Sequence, residues 1–91
     1  MKFEWNPEKA RINQQDHGVD FPEASTVFAD PFSITYADPD HSFGETRSII
    51  IGLSHRHRLL MVSHTDRHDR VRLISAREVT RRERRLYEEG I

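Results

Sequence analysis

An α+β fold is predicted for this 91-residue chain, with helices packed on a mostly antiparallel sheet. Three observations predict it. Helix-capping residues punctuate the first third of the sequence. The apolar period switches to two from Phe32 onward and recurs through three further segments. Good helix formers then fill Ala76 to Glu89 and stop at Gly90.

Phe3-Glu4-Trp5 alternates apolar and polar residues, as a short edge strand does. Asn6-Pro7 opens a helix, with Asn as N-cap and Pro at the first helical position, where its missing N–H costs nothing. Gly18 closes that helix. Asp20 and Glu23 fit a capping box for a second, short helix carrying Ala24, Val27 and Phe28, which Asp30-Pro31 breaks. Phe32, Ile34 and Tyr36 then share one face of a strand, and the turn residues from Ala37 to Gly44 form a loop. Glu45 to Ser54, Arg58 to His64 and Arg70 to Ser75 read as strands joined by short connections, so the four strands make an antiparallel meander. The last helix, Ala76 to Glu89, has a thin apolar stripe of Ala76, Val79, Leu86 and Tyr87 that must lie on the sheet and leaves room for a homodimer. Trp5, Phe21, Phe28 and Phe32 read as core. Residues 1–91 read as a single domain.

Composition narrows the function classes. No cysteine means no disulfide framework, no thiolate metal site and no thiol nucleophile. Apolar runs such as Ile49 to Ile51 are far short of a membrane span, and Met1 to Trp5 lacks a signal peptide's apolar stretch, so a cytoplasmic protein with no membrane partner is expected. The net charge of −1 hides an asymmetry. Residues 1–45 carry three Lys+Arg against nine Asp+Glu, and residues 46–91 carry eleven Arg, no Lys and six acids. An all-arginine basic half points to phosphate or carboxylate recognition, because guanidinium offers a planar fork that stays charged. A polyanion, RNA above all, is the expected partner.

The opening Phe3-Glu4-Trp5-Asn6-Pro7-Glu8-Lys9-Ala10, then His17 to Phe21 with Glu23-Ala24, resembles the start of a BrnT toxin. Arg47 to Gly52, Val62-Ser63-His64-Thr65, Arg70 to Arg77 and Thr80 to Arg84 with Tyr87-Glu88 resemble the rest of that family, in the same order and spacing. The resemblance implies a ribonuclease toxin of a type II toxin–antitoxin pair, with a fold similar to the RelE-type ribonucleases. It also implies a BrnA-type partner that binds DNA through a ribbon-helix-helix domain, so that this chain meets DNA only indirectly.

Metal-independent RNA cleavage needs a base for the 2′-hydroxyl, an acid for the leaving 5′-oxygen and fixed positive charge at the phosphate. Arg47, Arg72, Arg77 and Arg81 are expected to form the phosphate-binding floor. Arg70 shares a strand face with Arg72, and Arg77 and Arg81 sit four apart at the start of the last helix. His64 titrates in the useful range and is the expected acid or base, with Glu45 as the alternative base. Arg82, Glu83, Arg85 and Glu89 read as a solvated helix face with i,i+4 pairing. The pairs His55/His57 and His64/His68 have metal-like spacing, but arginines flank them and no carboxylate or cysteine completes a set, so no metal or other cofactor is expected. The rival reading is a non-catalytic module that binds nucleic acid or an antitoxin. Direct DNA binding by the last helix is disfavoured by Glu78, Glu83, Glu88 and Glu89.

Overall fold

The structure, a computed structural model, describes residues 1–42 and 44–90; Phe43, within the predicted loop, and Ile91 lie outside the described residues. The elements run β1 (Lys2–Glu4), α1 (Pro7–His17), α2 (Phe21–Ser25) continued by a 3-10 turn (Thr26–Ala29), β2 (Ile34–Ala37), a 3-10 turn (Pro39–His41), β3 (Arg47–Leu53), β4 (Leu59–Arg67), β5 (Arg70–Glu78) and α3 (Arg81–Glu89). They build one five-stranded sheet in the order β1-β5-β4-β3-β2. β2 to β5 form the expected antiparallel meander, and β1 adds to the β5 edge in parallel.

The capping chemistry sets the helices. The Asn6 side chain accepts from the Glu8 and Lys9 amides, and Gly18, at φ 68°, closes α1 in the left-handed region. Asp20 accepts from the Glu23 amide, but the Glu23 carboxylate does not complete that capping box. It turns inward instead and is 1% exposed. There Arg58 donates to it through Nε at 3.0 Å and through a second guanidinium nitrogen, and the Ser54 hydroxyl donates at 2.7 Å. Arg58 also donates to the Gly18 carbonyl at 3.1 Å, so one guanidinium ties both helices to the β3–β4 turn.

Strand alternation divides the sheet into two faces. One carries Ile50, Leu60, Val62, Val71, Leu73 and Ala76, which pack with Val19, Phe21, Ala24 and Val27 from the helical layer. Gly52 lies on this face because the 3-10 turn presses onto it: an added Cβ would meet the Val27 carbonyl oxygen at 3.0 Å. Trp5 meets Phe21 edge-on at 5.9 Å, consistent with its expected core role. A side-chain amide closes part of the β5 edge that β1 leaves open. Asn13, buried on α1, donates to the Ala76 carbonyl at 2.9 Å and accepts from the Ala76 amide at 3.0 Å, as a neighbouring strand would.

Two expectations are corrected, and His64 takes a place away from the arginines. The last helix starts at Arg81, not Ala76, because β5 continues through Glu78 in register with β4 and Thr80 makes the capping box with Glu83. Ala76 is therefore a buried strand residue, and Arg77 and Arg81 do not share a helix face. Phe32 is 74% exposed rather than core, since its strand begins two residues later at Ile34. His64 lies on the helix-covered face, 6% exposed, edge-on to Phe28 at a centroid distance of 4.9 Å. Burial holds its pKa below the ordinary value near 6.5, and among the described residues its Nδ1 has no partner.

Two stability predictions follow from these buried groups. Arg58→Ala leaves the Glu23 carboxylate buried and unpaired, so urea denaturation should show a loss of about 3 kcal/mol or more, which the double change Glu23→Gln, Arg58→Met largely recovers. His64 with a lowered folded-state pKa favours the native chain above pH 6.5, and that contribution disappears as pH falls through the folded value. The melting temperature should fall between pH 7.5 and 5.5, and His64→Phe should flatten that limb.

Candidate nucleic-acid interface

The second sheet face carries the arginines. Cross-strand register aligns Arg47 on β3, Thr65 on β4 and Arg72 on β5 in one row. Neighbouring strands lie about 4.8 Å apart, so the two arginines start about 10 Å apart with only Thr65 between them. Thr65 is buried and donates to the Thr46 carbonyl at 2.6 Å, which fixes the row beneath the guanidiniums. The next pair on this face, towards the hairpin, is Arg67 opposite Arg70, both exposed. In the other direction come Ser63 with Ser75, then Met61 with Arg77. Met61 is four residues from Thr65, which sets Arg77 about 13 Å from the Arg47–Arg72 row. The arginines therefore form a track along β5 with a cross-piece at Arg47, rather than one tight cluster.

Their electrostatic states differ. Arg47 is half-buried, has no carboxylate partner among the described residues, and its Nε is buried without a hydrogen-bond acceptor. A buried donor left open costs free energy that an arriving acceptor would recover. Arg72 donates to Glu4 of β1 at 2.8 Å. Arg77 grips Glu83 with both terminal nitrogens, at 2.8 and 2.9 Å. The Glu83 carboxylate raises the Arg77 pKa further, and the Arg77 guanidinium is the largest cause of the lowered pKa of Glu83. Tyr36, on the same face, has its phenol pushed up first by burial and then by the Glu83 charge. Arg81 is exposed in the first turn of α3, and Glu45 is exposed two residues before Arg47.

The register thus brings Arg47, Arg70, Arg72 and Arg77 to one face, sets Arg81 on the neighbouring helix, and puts His64 beneath the other face. Sequence reasoning passed over three residues. Arg67 was legible through its spacing from Ser63 and Thr65 and its place opposite Arg70; two like charges directly paired across strands destabilise a sheet unless an anion joins them. Glu83 read as a solvated residue, yet its side chain is 17% exposed and fully engaged. Glu4 carried no signal, because its partner Arg72 is 68 residues away. Among the described residues no three His, Cys, Asp or Glu side chains gather as a cation site. None of the described helices is long and apolar enough to cross a membrane.

The comparisons agree with this architecture. The family model of the ribonuclease toxin, BrnT, of type II toxin–antitoxin systems matches residues 5–83. Among solved structures the chain is similar to the Brucella abortus ribonuclease toxin BrnT, a 1.1 Å crystal structure, with a TM-score of 0.65 and 20% identity over 89% of this chain and 99% of that one. No curated protein matches. At that identity the structural likeness shows a shared fold, whereas the family match spans most of the sequence. The chain belongs to the BrnT family of ribonuclease toxins of type II toxin–antitoxin systems.

Proposed function

We propose that this chain is a cytoplasmic toxin that cleaves RNA without a metal, inhibits translation by doing so, and is neutralised by a ribbon-helix-helix antitoxin of the BrnA type. One observation carries the reading: Arg47 and Arg72 face each other across Thr65 on the arginine-bearing sheet face, Arg47 with an open, buried Nε. That geometry suits a phosphate whose charge rises as the 2′-oxygen attacks phosphorus and the 5′-oxygen leaves, yielding a 2′,3′-cyclic phosphate end and a 5′-hydroxyl. Arg47 and Arg72 hold the reacting phosphate. Arg67 on β4, Arg70 and Arg77 on β5, and Arg81 at the start of α3 hold its neighbours. Glu45, the exposed carboxylate two residues before Arg47, takes the 2′-hydroxyl proton, and the leaving 5′-oxygen takes its proton from solvent water.

His64 has no part in this proposal, because its ring lies against Phe28 on the other face. That same observation supports a second reading, a non-catalytic antitoxin- or nucleic-acid-binding module that shares in operon control, since the arginine face then has no histidine acid.

Purified protein incubated with RNA in EDTA tests the first reading. Cleavage should persist in the chelator and stop when antitoxin is added. Arg47→Ala and Arg72→Ala should each lower the rate about a hundredfold or more with an unchanged melting temperature. Intact RNA under every condition, with tight antitoxin binding, would establish the binding module instead.

A further inference from the structure

The two edges of the sheet are treated differently. The β1 edge is short, carries Lys2 and Glu4, and is continued by the Asn13 amide beside Ala76. The β2 edge, Ile34-Thr35-Tyr36-Ala37, has no charge and no proline, the devices by which sheets keep other chains off a free edge. The Asp38 amide donates to the Arg47 carbonyl at 2.9 Å, which fixes the ladder phase. Hydrogen-bonded pairs alternate along an antiparallel ladder, so Tyr36 and Ile34 bond to β3 while the N–H and C=O groups of Thr35 and Ala37 point outward. Both residues are exposed.

Beside this edge lies a groove of about 290 Å³, lined by Ile34, Thr35, Tyr36 and Leu86. Its far wall is α3, held in place by Arg77–Glu83 at one end and by the Tyr87 hydroxyl donating to Asp30 at 2.6 Å at the other. Arg82, one turn before Leu86, shares its side of the helix, with Arg85 next to it. Both are exposed, and neither has a carboxylate partner among the described residues, in contrast to the i,i+4 pairing expected there.

We infer that the β2 edge and its groove are the docking site of the antitoxin, which adds an extended segment to the sheet as a sixth strand. The inference rests on the toxin–antitoxin reading above. The segment's alternate residues are apolar, filling the groove over Ile34, Tyr36 and Leu86, and it carries acidic residues that meet Arg82 and Arg85. Charge complementarity selects this occupant over a second copy of the chain. Antiparallel pairing of β2 with itself would bring Asp38 and Asp40 of each copy towards the Ile34 end of the other, where Asp30 lies. The docked segment would stand beside the arginine track rather than on it.

Thr35→Pro removes an outward N–H that has no acceptor among the described residues, and proline is tolerated at such an edge position. Arg82→Glu reverses the charge beside the groove. With the antitoxin as the probe, each variant should bind at least about tenfold more weakly than the parent chain, while cleavage of RNA without antitoxin and the melting temperature stay unchanged. Hydrogen exchange on the unmodified complex gives a second reading that needs no variant: the Thr35 and Ala37 amides should pass from fast exchange to protection when antitoxin is added. Undiminished binding by both variants, or unprotected Thr35 and Ala37 amides in a formed complex, overturns the docking site and leaves the toxin reading standing. An unmodified chain that does not bind the antitoxin overturns both. A homodimer of the chain alone that Thr35→Pro dissociates assigns the edge to a second copy and overturns the inference.

Discussion

A carboxylate buried between the helical layer and the β3–β4 turn is the constraint from which the rest of the structure follows. Glu23 sits at 1% exposure, and burial of that kind is tolerated only when the charge is answered by fixed donors. Arg58 and Ser54 supply them, and Arg58 reaches on to the Gly18 carbonyl and to Glu78 at the end of β5. One network therefore ties the C-terminus of α1, the first turn of α2, the β3–β4 turn and the last residue of β5. The helical layer is fixed on one face of the sheet, and α3 packs against β3 on the arginine-bearing face.

The charge asymmetry between the two halves of the chain is partly consumed inside the fold. Glu4 and Glu23, from the acidic half, pair with Arg72 and Arg58 of the basic half, and Arg77 pairs with Glu83. The other eight of the eleven second-half arginines have no carboxylate within salt-bridge distance among the described residues. Internal pairing thus does not account for the arginine excess, and apart from Arg56 in the β3–β4 turn the sheet face and α3 carry what remains. The Arg77–Glu83 pair keeps its guanidinium in the fork-to-fork geometry that suits carboxylate and phosphate alike, and Arg72 is held by a single bond to Glu4, so each is a positioned donor rather than a mobile one.

Much of the fold was legible because it depends on local signals. Asn6-Pro7 and Gly18 bracket α1, the period of two marks the meander, and the arginine spacing on β5 places Arg70 and Arg72 on one face. Two of the failures share a cause, which is long-range contact. Ala76 reads as a helix former by propensity, but its neighbours in space are Val62 on β4 and the Asn13 amide, and the ladder outweighs propensity. His64 ends a predicted strand that runs three residues further, and only its contact with Phe28 shows which face its ring occupies. Phe32 looks like core by hydrophobicity, yet the turn after Asp30, whose side chain accepts from the Phe32 amide, holds it outside the sheet.

RNA lying along the strand arginines should be visible by NMR of the arginine Nε–H groups during titration with an uncleavable, 2′-deoxy-substituted oligonucleotide. Large shifts are expected at Arg47 and Arg72, smaller ones at Arg67, Arg70 and Arg77, and attenuation of all of them as salt is raised. Shifts confined to the arginines of α3, with Arg47 and Arg72 unmoved, would contradict that placement.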